Sequence, residues 1–234
     1  MIFREQIKEA AKYKFKQRYG MCVGAALLIV LLAGENYINF GFRISYEIYL
    51  PIITGIASIM TMVLLLVGAP LKVGNAHFNR CIYNGWDTSV GDMFRRGFDD
   101  YGRNLGGMLW MYLFIFLWSL LLVIPGIVKS YAYFAAPYIL SEFPAVKPTD
   151  AIKISMRMTA GYKGKLFVLD LSFLGWNILS ALTLGLLGIL YVNPYYHASK
   201  AGYYEAIKAN ALSSGAVNWG ELTGYPGGAG SAGY

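Results

Sequence analysis

The sequence predicts an all-α integral membrane protein with six transmembrane helices, arranged as three hairpins with amphipathic helices on the cytoplasmic side. Three observations lead to this fold class. The chain of 234 residues is 56% hydrophobic and only 14% charged, whereas soluble domains carry about 25% charged residues. Its apolar residues collect in runs that are long enough to cross a bilayer. Its Lys and Arg residues fall between those runs, which is typical of a membrane protein.

Five apolar runs and two breaks set the number of predicted spans. The runs cover residues 19–34, 50–71, 105–124, 127–140 and 166–196. About 20 residues cross the hydrocarbon core of a bilayer, so the last run is long enough for two spans, with a turn expected at residues 182–185. Pro125-Gly126 is expected to separate the third run from the fourth, because proline lacks a backbone donor and glycine tolerates turn dihedrals.

The basic residues set the orientation of the spans. Of the 20 Lys and Arg residues, only Arg43 and Lys129 fall outside the N-terminal tail, the loops after spans two and four, and the C-terminal tail. Cytoplasmic segments carry an excess of Lys and Arg, so we expect a multi-pass protein of the plasma membrane with both termini in the cytoplasm. A signal peptide over residues 1–34 is the competing interpretation, but Leu31-Leu32-Ala33 is a poor cleavage site.

The same order of parts recurs three times along the chain. A basic amphipathic stretch precedes spans one, three and five, and each even span ends at a proline. These prolines are Pro70, Pro137 and Pro194. We interpret the pattern as three copies of a surface helix followed by a transmembrane hairpin, although Tyr, Gly, Lys and Pro are common at membrane interfaces in general. The first amphipathic stretch, from residue 2 to residue 19, is expected to lie on an anionic leaflet.

Several short motifs in the second half of the chain carry a family resemblance. They include Ile124-Pro125-Gly126-Ile127-Val128-Lys129, Glu142-Phe143-Pro144, Leu171-Ser172-Phe173-Leu174-Gly175-Trp176, Asn193-Pro194-Tyr195 and Tyr203-Tyr204-Glu205. On these residues the chain resembles DUF975, a family of bacterial integral membrane proteins of unknown function. The resemblance covers residues 105–208 well and residues 1–104 only loosely. It implies a helical membrane fold and brings no catalytic residues.

Three polar residues within or beside the spans are candidate ligand-binding residues. Asp170 lies in the fifth span and Asn177 follows on the same predicted helix face. A charged group in a span is costly and faces a protein interior or a water-filled cavity, which makes it a functional candidate. The favoured alternative pairs Asp170 with Lys163, Lys165 or a loop arginine. Lys129 can bind an anionic ligand on the outer side, but snorkelling to the outer headgroups is the favoured role.

Seven basic residues of the cytoplasmic loops are expected to form one membrane-facing surface, which we call the basic face. Such a surface can bind anionic lipid or an acidic partner protein, although topology determination alone also explains the charge. Its members are Arg95, Arg96, Arg103, Lys153, Arg157, Lys163 and Lys165.

The sequence carries no pattern for metal, cofactor or nucleic-acid chemistry. His77 and His197 have no Cys, His or carboxylate neighbours at ligand spacing, so neither a metal nor a cofactor is expected. Hydrolase and nucleotide-binding motifs are absent, and we expect no enzyme. Because the basic residues flank apolar runs, a membrane explains the net charge of +7 better than nucleic acid does.

Two function classes follow from these observations. The favoured one is a non-enzymatic membrane component that binds lipid or partner proteins through the basic face. A partner membrane protein or a homo-oligomer is also among the expected partners. The alternative is a small transporter or permease-like protein with a pathway between hairpins. Sparse intramembrane charge favours the first, and Gly- and Pro-interrupted spans favour the second. Residues 1–208 are expected to form the membrane domain, and the Gly-rich residues 209–234 a flexible tail.

Overall fold

A computed structural model describes residues 4–33 and 50–224, which contain twelve α-helices and no strand within these ranges. A π-helical turn, Gly188–Val192, leads directly into α11. The helices are α1 (Arg4–Gln17), α2 (Tyr19–Ala33), α3 (Leu50–Asn84), α4 (Val90–Phe98), α5 (Tyr101–Leu121), α6 (Val123–Ala132), α7 (Ala136–Glu142), α8 (Pro148–Met158), α9 (Lys163–Ser172), α10 (Leu174–Leu182), α11 (Asn193–Ser213) and α12 (Trp219–Thr223). The predicted all-α fold class is confirmed for these residues. Arg43, one of the two basic residues predicted on the outer side, lies outside the described residues.

Three helical segments have the length and the apolar composition needed to cross a membrane. They are Ser58–Asn84, Tyr101–Leu121 and Lys163–Leu182, and Tyr19–Ile29 is a shorter apolar helix. Large apolar side chains stay exposed along these helices, as at Phe116 and Leu120, which are 63% and 74% exposed. Exposed apolar surface of this extent fits contact with lipid. These segments support a membrane protein, and the count of six spans stays a prediction.

The turn predicted inside the last apolar run is confirmed. After α10, Leu184 takes a φ of 54° and Gly185 a φ of 87°, and the Gly185 N–H donates to the carbonyl of Ser180 at 2.8 Å. Helices commonly end with a residue in the left-handed conformation, where a backbone N–H donates to a carbonyl of the last helical turn. The Thr183 hydroxyl also donates to the Ser180 carbonyl at 2.9 Å, so the turn satisfies its own polar groups.

The other predicted break is displaced toward the N-terminus. The chain is extended at Leu122, between α5 and α6, and Pro125 lies in the first turn of α6. A proline is tolerated there because the first N–H groups of a helix have no helical acceptor. Gly126 allows the hairpin to close, since a Cβ at this position would lie 2.2 Å from Ser119 Oγ.

The prediction that prolines end the even spans is wrong. Pro70 lies inside α3, Pro137 lies in the first turn of α7, and Pro194 lies in the first turn of α11. Each helix continues beyond its proline, because the pyrrolidine ring disturbs the preceding turn and is compatible with the following one. The irregular residues 133–135 precede Pro137, and the π-helical turn precedes Pro194.

Helices α1, α4 and α8 are the predicted amphipathic helices, and their apolar faces pack on protein. Ile7 and Phe15 of α1 are buried, and α1 packs against α11. Met93 of α4 is buried where this helix meets α3, and Ile154 is buried in α8, which packs on α5 and α7. The expectation that α1 lays its apolar face on a leaflet is therefore wrong. Helix α1 is followed by two helices before the next amphipathic helix, whereas α4 is followed by three and α8 by four, so the predicted repeat is not regular in the described elements.

The contact between α3 and α4 depends on a glycine. A Cβ at Gly74 would lie 2.0 Å from the backbone oxygen of Met93. We expect Gly74→Ala to lower the free energy of unfolding in detergent by about 1–3 kcal/mol, because a backbone oxygen cannot move aside as a flexible side chain can. Gly106→Ala in α5 is the control, since a Cβ there meets no atom within 4 Å. Equal unfolding midpoints for the two variants would contradict this packing.

Part of the predicted flexible tail is packed against the bundle. The predicted boundary at residue 208 falls inside α11, which runs to Ser213. Val217 and Leu222 are buried beyond it, and Glu221 of α12 pairs with Arg157 of α8. Apolar burial holds this segment up to residue 224, and residues 225–234 lie outside the part of the chain that the structure describes.

Candidate functional site

A cavity of about 360 Å³, lined by apolar and polar side chains, lies between helices of all three predicted hairpins. Helix α3 contributes Lys72 to its lining, α9 contributes Asp170, and α11 contributes His197 and Lys200. The middle hairpin adds aromatic groups that include Tyr131. Asp170 lies roughly 10 Å along the helix axis from the start of α9, at 1.5 Å per residue. A concave site with a few convergent polar groups in an apolar bundle is the usual form of a ligand site.

Asp170 is held in this cavity by groups from two other helices. The Tyr131 hydroxyl of α6 donates to Asp170 Oδ2 at 2.8 Å, and the Tyr196 hydroxyl of α11 donates to Oδ1 at 2.8 Å. Lys200 Nζ lies 3.6 Å from Oδ1 and 4.4 Å from the centroid of the Tyr196 ring. Such partners stabilise a carboxylate among apolar helices. The basic partner of Asp170 is thus Lys200 of the last long helix, and the expected pairing with Lys163 or Lys165 is wrong.

The other two residues predicted to bind a ligand lie away from the cavity. Between α9 and α10 the helix is interrupted at Phe173, so Asn177 loses the helical phase that placed it on the face of Asp170. Asn177 is not among the described residues that line the cavity. Lys129 Nζ lies 4.7 Å from the centroid of the Trp118 ring of α5. This cation–π contact across the hairpin is consistent with an anchoring role for Lys129.

Arg103 of the basic face is built into the fold. Its guanidinium donates to the backbone carbonyls of Leu140, Phe143 and Val146, at distances from 2.6 to 3.1 Å. These carbonyls belong to the end of α7 and the turn that follows, where helix carbonyls lack partners within the helix. Only 15% of the Arg103 side chain is exposed. Its guanidinium is therefore engaged in capping α7 rather than in contacting lipid.

Three further arginines of the basic face lie beside carboxylates. Arg95 Nε is 3.8 Å from Asp99 Oδ2, and Arg157 pairs with Glu221. Arg95 and Arg96 border a surface groove whose carboxylates are those of Asp87, Asp92 and Asp99. The pKa of Asp92 is lowered, chiefly by its hydrogen bonds with Ser89 at the start of α4, so this carboxylate is charged at neutral pH. The groove therefore carries charge of both signs.

The three lysines of the basic face are at least partly exposed. The side chain of Lys153 is 69% exposed and pairs with Asp150 of the same helix at 3.3 Å. Lys165 lies over the Tyr162 ring, 5.3 Å from its centroid, and Lys163 begins α9 with a partly exposed side chain. The accessible part of the basic face is thus smaller than the sequence predicts, because Arg103 is buried in the cap of α7.

Four charged residues that the sequence analysis did not select as site residues form a largely buried network, which we call the charge network. Arg80 of α3 lies 3.1 Å from Glu142 Oε1 of α7 and 2.7 Å from Glu205 Oε1 of α11. Lys208 Nζ of α11 lies 2.7 Å from Glu142 Oε1 and 2.8 Å from Glu205 Oε2. Two positive and two negative charges balance one another. The network joins α3, α7 and α11, the final helices of the three predicted repeats.

A pair of tyrosines connects the charge network to the cavity. The Tyr204 hydroxyl donates to Glu142 Oε2 at 2.6 Å, and burial together with the Glu142 charge raises the pKa of Tyr204 well above its usual value. The Tyr204 ring stacks on Tyr138, with centroids 4.7 Å apart, and Tyr138 lines the cavity. The motifs that carry the family resemblance include Glu142, Tyr204 and Glu205. That resemblance is the sequence signal that could have identified these residues.

One comparison with known proteins found a match to a family over the second half of this chain. The family model described as protein of unknown function (DUF975) matches residues 100–211. The resemblance to DUF975 is confirmed over that stretch. The matched DUF975 region contains Asp170, Lys200 and three of the four members of the charge network, while Lys72 and Arg80 precede it. No curated protein and no solved structure matches the chain.

Proposed function

We propose that this DUF975 protein is a non-enzymatic integral membrane protein that binds a small polar solute in the cavity between its hairpins, as a small transporter or permease does. The observation that carries the proposal is the position of Asp170, whose carboxylate meets groups of α6 and α11 inside the bundle. We further propose six spans in the plasma membrane with both termini in the cytoplasm. In this topology all Lys and Arg residues except Arg43 and Lys129 lie on the cytoplasmic side.

The cost of intramembrane charge supports a ligand-binding role. Lys72, Asp170 and Lys200 all line one cavity, although polar and charged groups within apolar helices are expensive and usually mark binding or translocation sites. A purely structural bundle could place apolar residues at these positions. The convergence of three charged side chains from three helices therefore favours a solute site over a scaffold.

Irregular helix geometry beside the cavity supports the same proposal. Tyr133 and Phe134, in the break between α6 and α7, line the cavity. The π-helical turn Gly188–Val192 lies just before the residues that α11 contributes. Interrupted helices often form the binding sites of membrane transporters, because their free backbone groups face a cavity.

The basic face supports a second candidate function. Three of its members are close in sequence and at least partly exposed, namely Lys153, Lys163 and Lys165. Their positive charge can attract an anionic leaflet or an acidic partner protein. This role is compatible with a solute site, because the two surfaces share no residue.

Cysteine accessibility tests the proposed solute site. In a background with Cys22→Ala and Cys81→Ala, Ser130→Cys places a thiol in the cavity lining, and Ala181→Cys places one on the exposed apolar surface of α10. A membrane-impermeant thiol reagent should label Ser130→Cys on the order of tenfold faster, because the reactive thiolate forms only where water has access. Equal, slow labelling at the two positions would mean a dry bundle and would refute the solute site.

A further inference from the structure

The cavity combines polar and apolar side chains, which come mainly from different helices. Helices α3, α9 and α11 contribute charged groups, namely Lys72, Asp170 and Lys200. Helix α5 contributes Met108 and Met111, and the break between α6 and α7 contributes aromatic rings. In ligand sites a few polar groups fix the orientation of the ligand and apolar groups bury the rest of it. A ligand of this cavity is therefore expected to have a charged part and an apolar part.

The rim of the cavity borders exposed apolar surface on α5 and α9. Ile115 lines the cavity, and Phe116, the next residue of α5, is exposed. Asp170 lines the cavity, and Leu171, the next residue of α9, is exposed. Successive residues of an α-helix lie about 100° apart around its axis, so each exposed side chain is beside the one that lines the cavity. The cavity is thus adjacent to surface that fits contact with lipid.

An aromatic contact joins the cavity lining to this exposed surface. The ring of Tyr131, which lines the cavity, packs edge to face on the ring of Phe167 of α9, with centroids 6.2 Å apart. Phe167 is exposed, and the Tyr131 hydroxyl donates to Asp170 at 2.8 Å. One residue of α6 therefore contacts both the carboxylate in the cavity and the exposed apolar surface of α9.

Ser130 of α6 marks the mouth of the cavity. It lines the cavity and is itself exposed, and Ile127 and Val128 just before it are exposed as well. The Ser130 hydroxyl donates to the carbonyl of Ile127 at 2.7 Å, so this polar group has a partner within its own helix. A serine bonded in this way is compatible with apolar surroundings. At Ser130 the cavity therefore opens beside surface that suits acyl chains.

The size of the cavity limits how much of a ligand it holds. A volume of about 360 Å³ is at the small end of ligand pockets. It suits a polar headgroup, whereas the acyl chains of a lipid would lie outside, along the exposed apolar surface of α5, α6 and α9. Chains in that position stay in apolar surroundings, and the headgroup meets the polar groups that it needs there.

We propose that the ligand of this cavity is a phospholipid, whose headgroup enters at Ser130 while its acyl chains remain in the bilayer. The proposal rests on the proposed solute site and gives that site a ligand class. Among membrane amphiphiles, phospholipids have charged headgroups, and the lining contains charged side chains of both signs. A solute that comes from water would not need a mouth beside exposed apolar surface.

Protection of a thiol at the mouth tests the proposal. Ser130→Cys, in the background with Cys22→Ala and Cys81→Ala, is labelled with a neutral maleimide in dodecyl maltoside micelles without phospholipid. We expect added phosphatidylglycerol and phosphatidylethanolamine to slow labelling several-fold, because a bound headgroup covers the thiol. Glycerol 3-phosphate and phosphoethanolamine, the water-soluble headgroups without acyl chains, should have no effect at the same concentrations. Labelling of the exposed control Ala181→Cys should stay unchanged throughout.

The other results separate this proposal from the proposed function. Equal protection by the phospholipids and by the water-soluble headgroups overturns the phospholipid ligand and leaves a free polar solute. Protection by neither, or equal slowing at Ala181→Cys, overturns the phospholipid ligand while the solute site stands. Failure of Ser130→Cys to label in micelles without phospholipid refutes the solute site itself.

Retained lipid gives a second measurement that does not depend on a thiol. The protein is washed in the same detergent, and the phospholipid that stays bound is extracted and quantified per mole of protein. Ser130→Trp places a large ring at the mouth and should lower the retained phospholipid several-fold. Ala181→Trp adds the same ring to exposed surface of α10 and should retain the wild-type amount. Equal retention by the two variants overturns the proposal.

Discussion

Replacing Arg80 with methionine should lower the free energy of unfolding by about 3–5 kcal/mol, the usual effect of removing one partner from a buried ion pair. The Arg80 side chain is only 7% exposed and contacts the carboxylates of both Glu142 and Glu205. Without it, two largely buried carboxylates share the single charge of Lys208. Unfolding by a denaturing detergent, followed by far-ultraviolet circular dichroism, measures the loss.

Two further variants decide whether the charge network is the cause. Arg95→Met makes the same chemical change at a side chain that is 77% exposed and should alter stability by less than about 0.5 kcal/mol. Arg80→Met combined with Glu205→Gln restores equal numbers of positive and negative charges and should be more stable than Arg80→Met alone. If Arg80→Met is no more destabilising than Arg95→Met, the network does not hold α3, α7 and α11 together.

Replacing Arg103 with lysine should destabilise the protein by about 2–4 kcal/mol, because at least two hydrogen bonds from a charged donor to poorly solvated carbonyls are lost. The planar guanidinium of Arg103 reaches three carbonyls at once, and a lysine ammonium is a single point that cannot span them. The same unfolding assay applies. Arg95→Lys is the matched control and should be neutral, and equal effects at the two positions would show that Arg103 does not cap α7.

Both predictions concern the short helix α7, which has seven residues. Glu142 at its C-terminal end belongs to the charge network, and Arg103 caps the carbonyls beyond Leu140. Tyr138, near the middle of α7, lines the cavity. A helix this short is not stable alone, so these tertiary contacts hold its position. The side of the cavity that α7 forms therefore depends on residues of α3, α5 and α11.

The candidate site was predicted in part. Asp170 stood out in the sequence because a carboxylate in an apolar run is costly and needs partners. Its partners could not be read from the sequence, since Tyr131 and Tyr196 lie 39 and 26 residues away along the chain. Asn177 was chosen by helical phase, and the interruption at Phe173 changes that phase. Local spacing holds only as long as the helix is continuous.

The basic face illustrates a second limit. Arg95 and Arg103 look equivalent in the sequence, since both lie in one positively charged loop region. In the structure Arg95 is exposed, whereas Arg103 reaches the end of α7, about 40 residues further along the chain. Whether a long side chain meets water or a carbonyl depends on which distant segment packs beside it. Charge patterning alone does not contain that information.

The amino-acid sequence by itself determined the all-helical fold class, the apolar segments suited to a membrane and the turn after Leu182, because apolar run length and turn chemistry are local properties. It also located three amphipathic helices. Only the tertiary structure decided that those helices pack on protein, since the helical period of apolar residues is the same whether the facing surface is lipid or another helix. The cavity and the charge network were likewise decided by packing, because they join residues that lie far apart in the sequence and approach one another only when their helices pack.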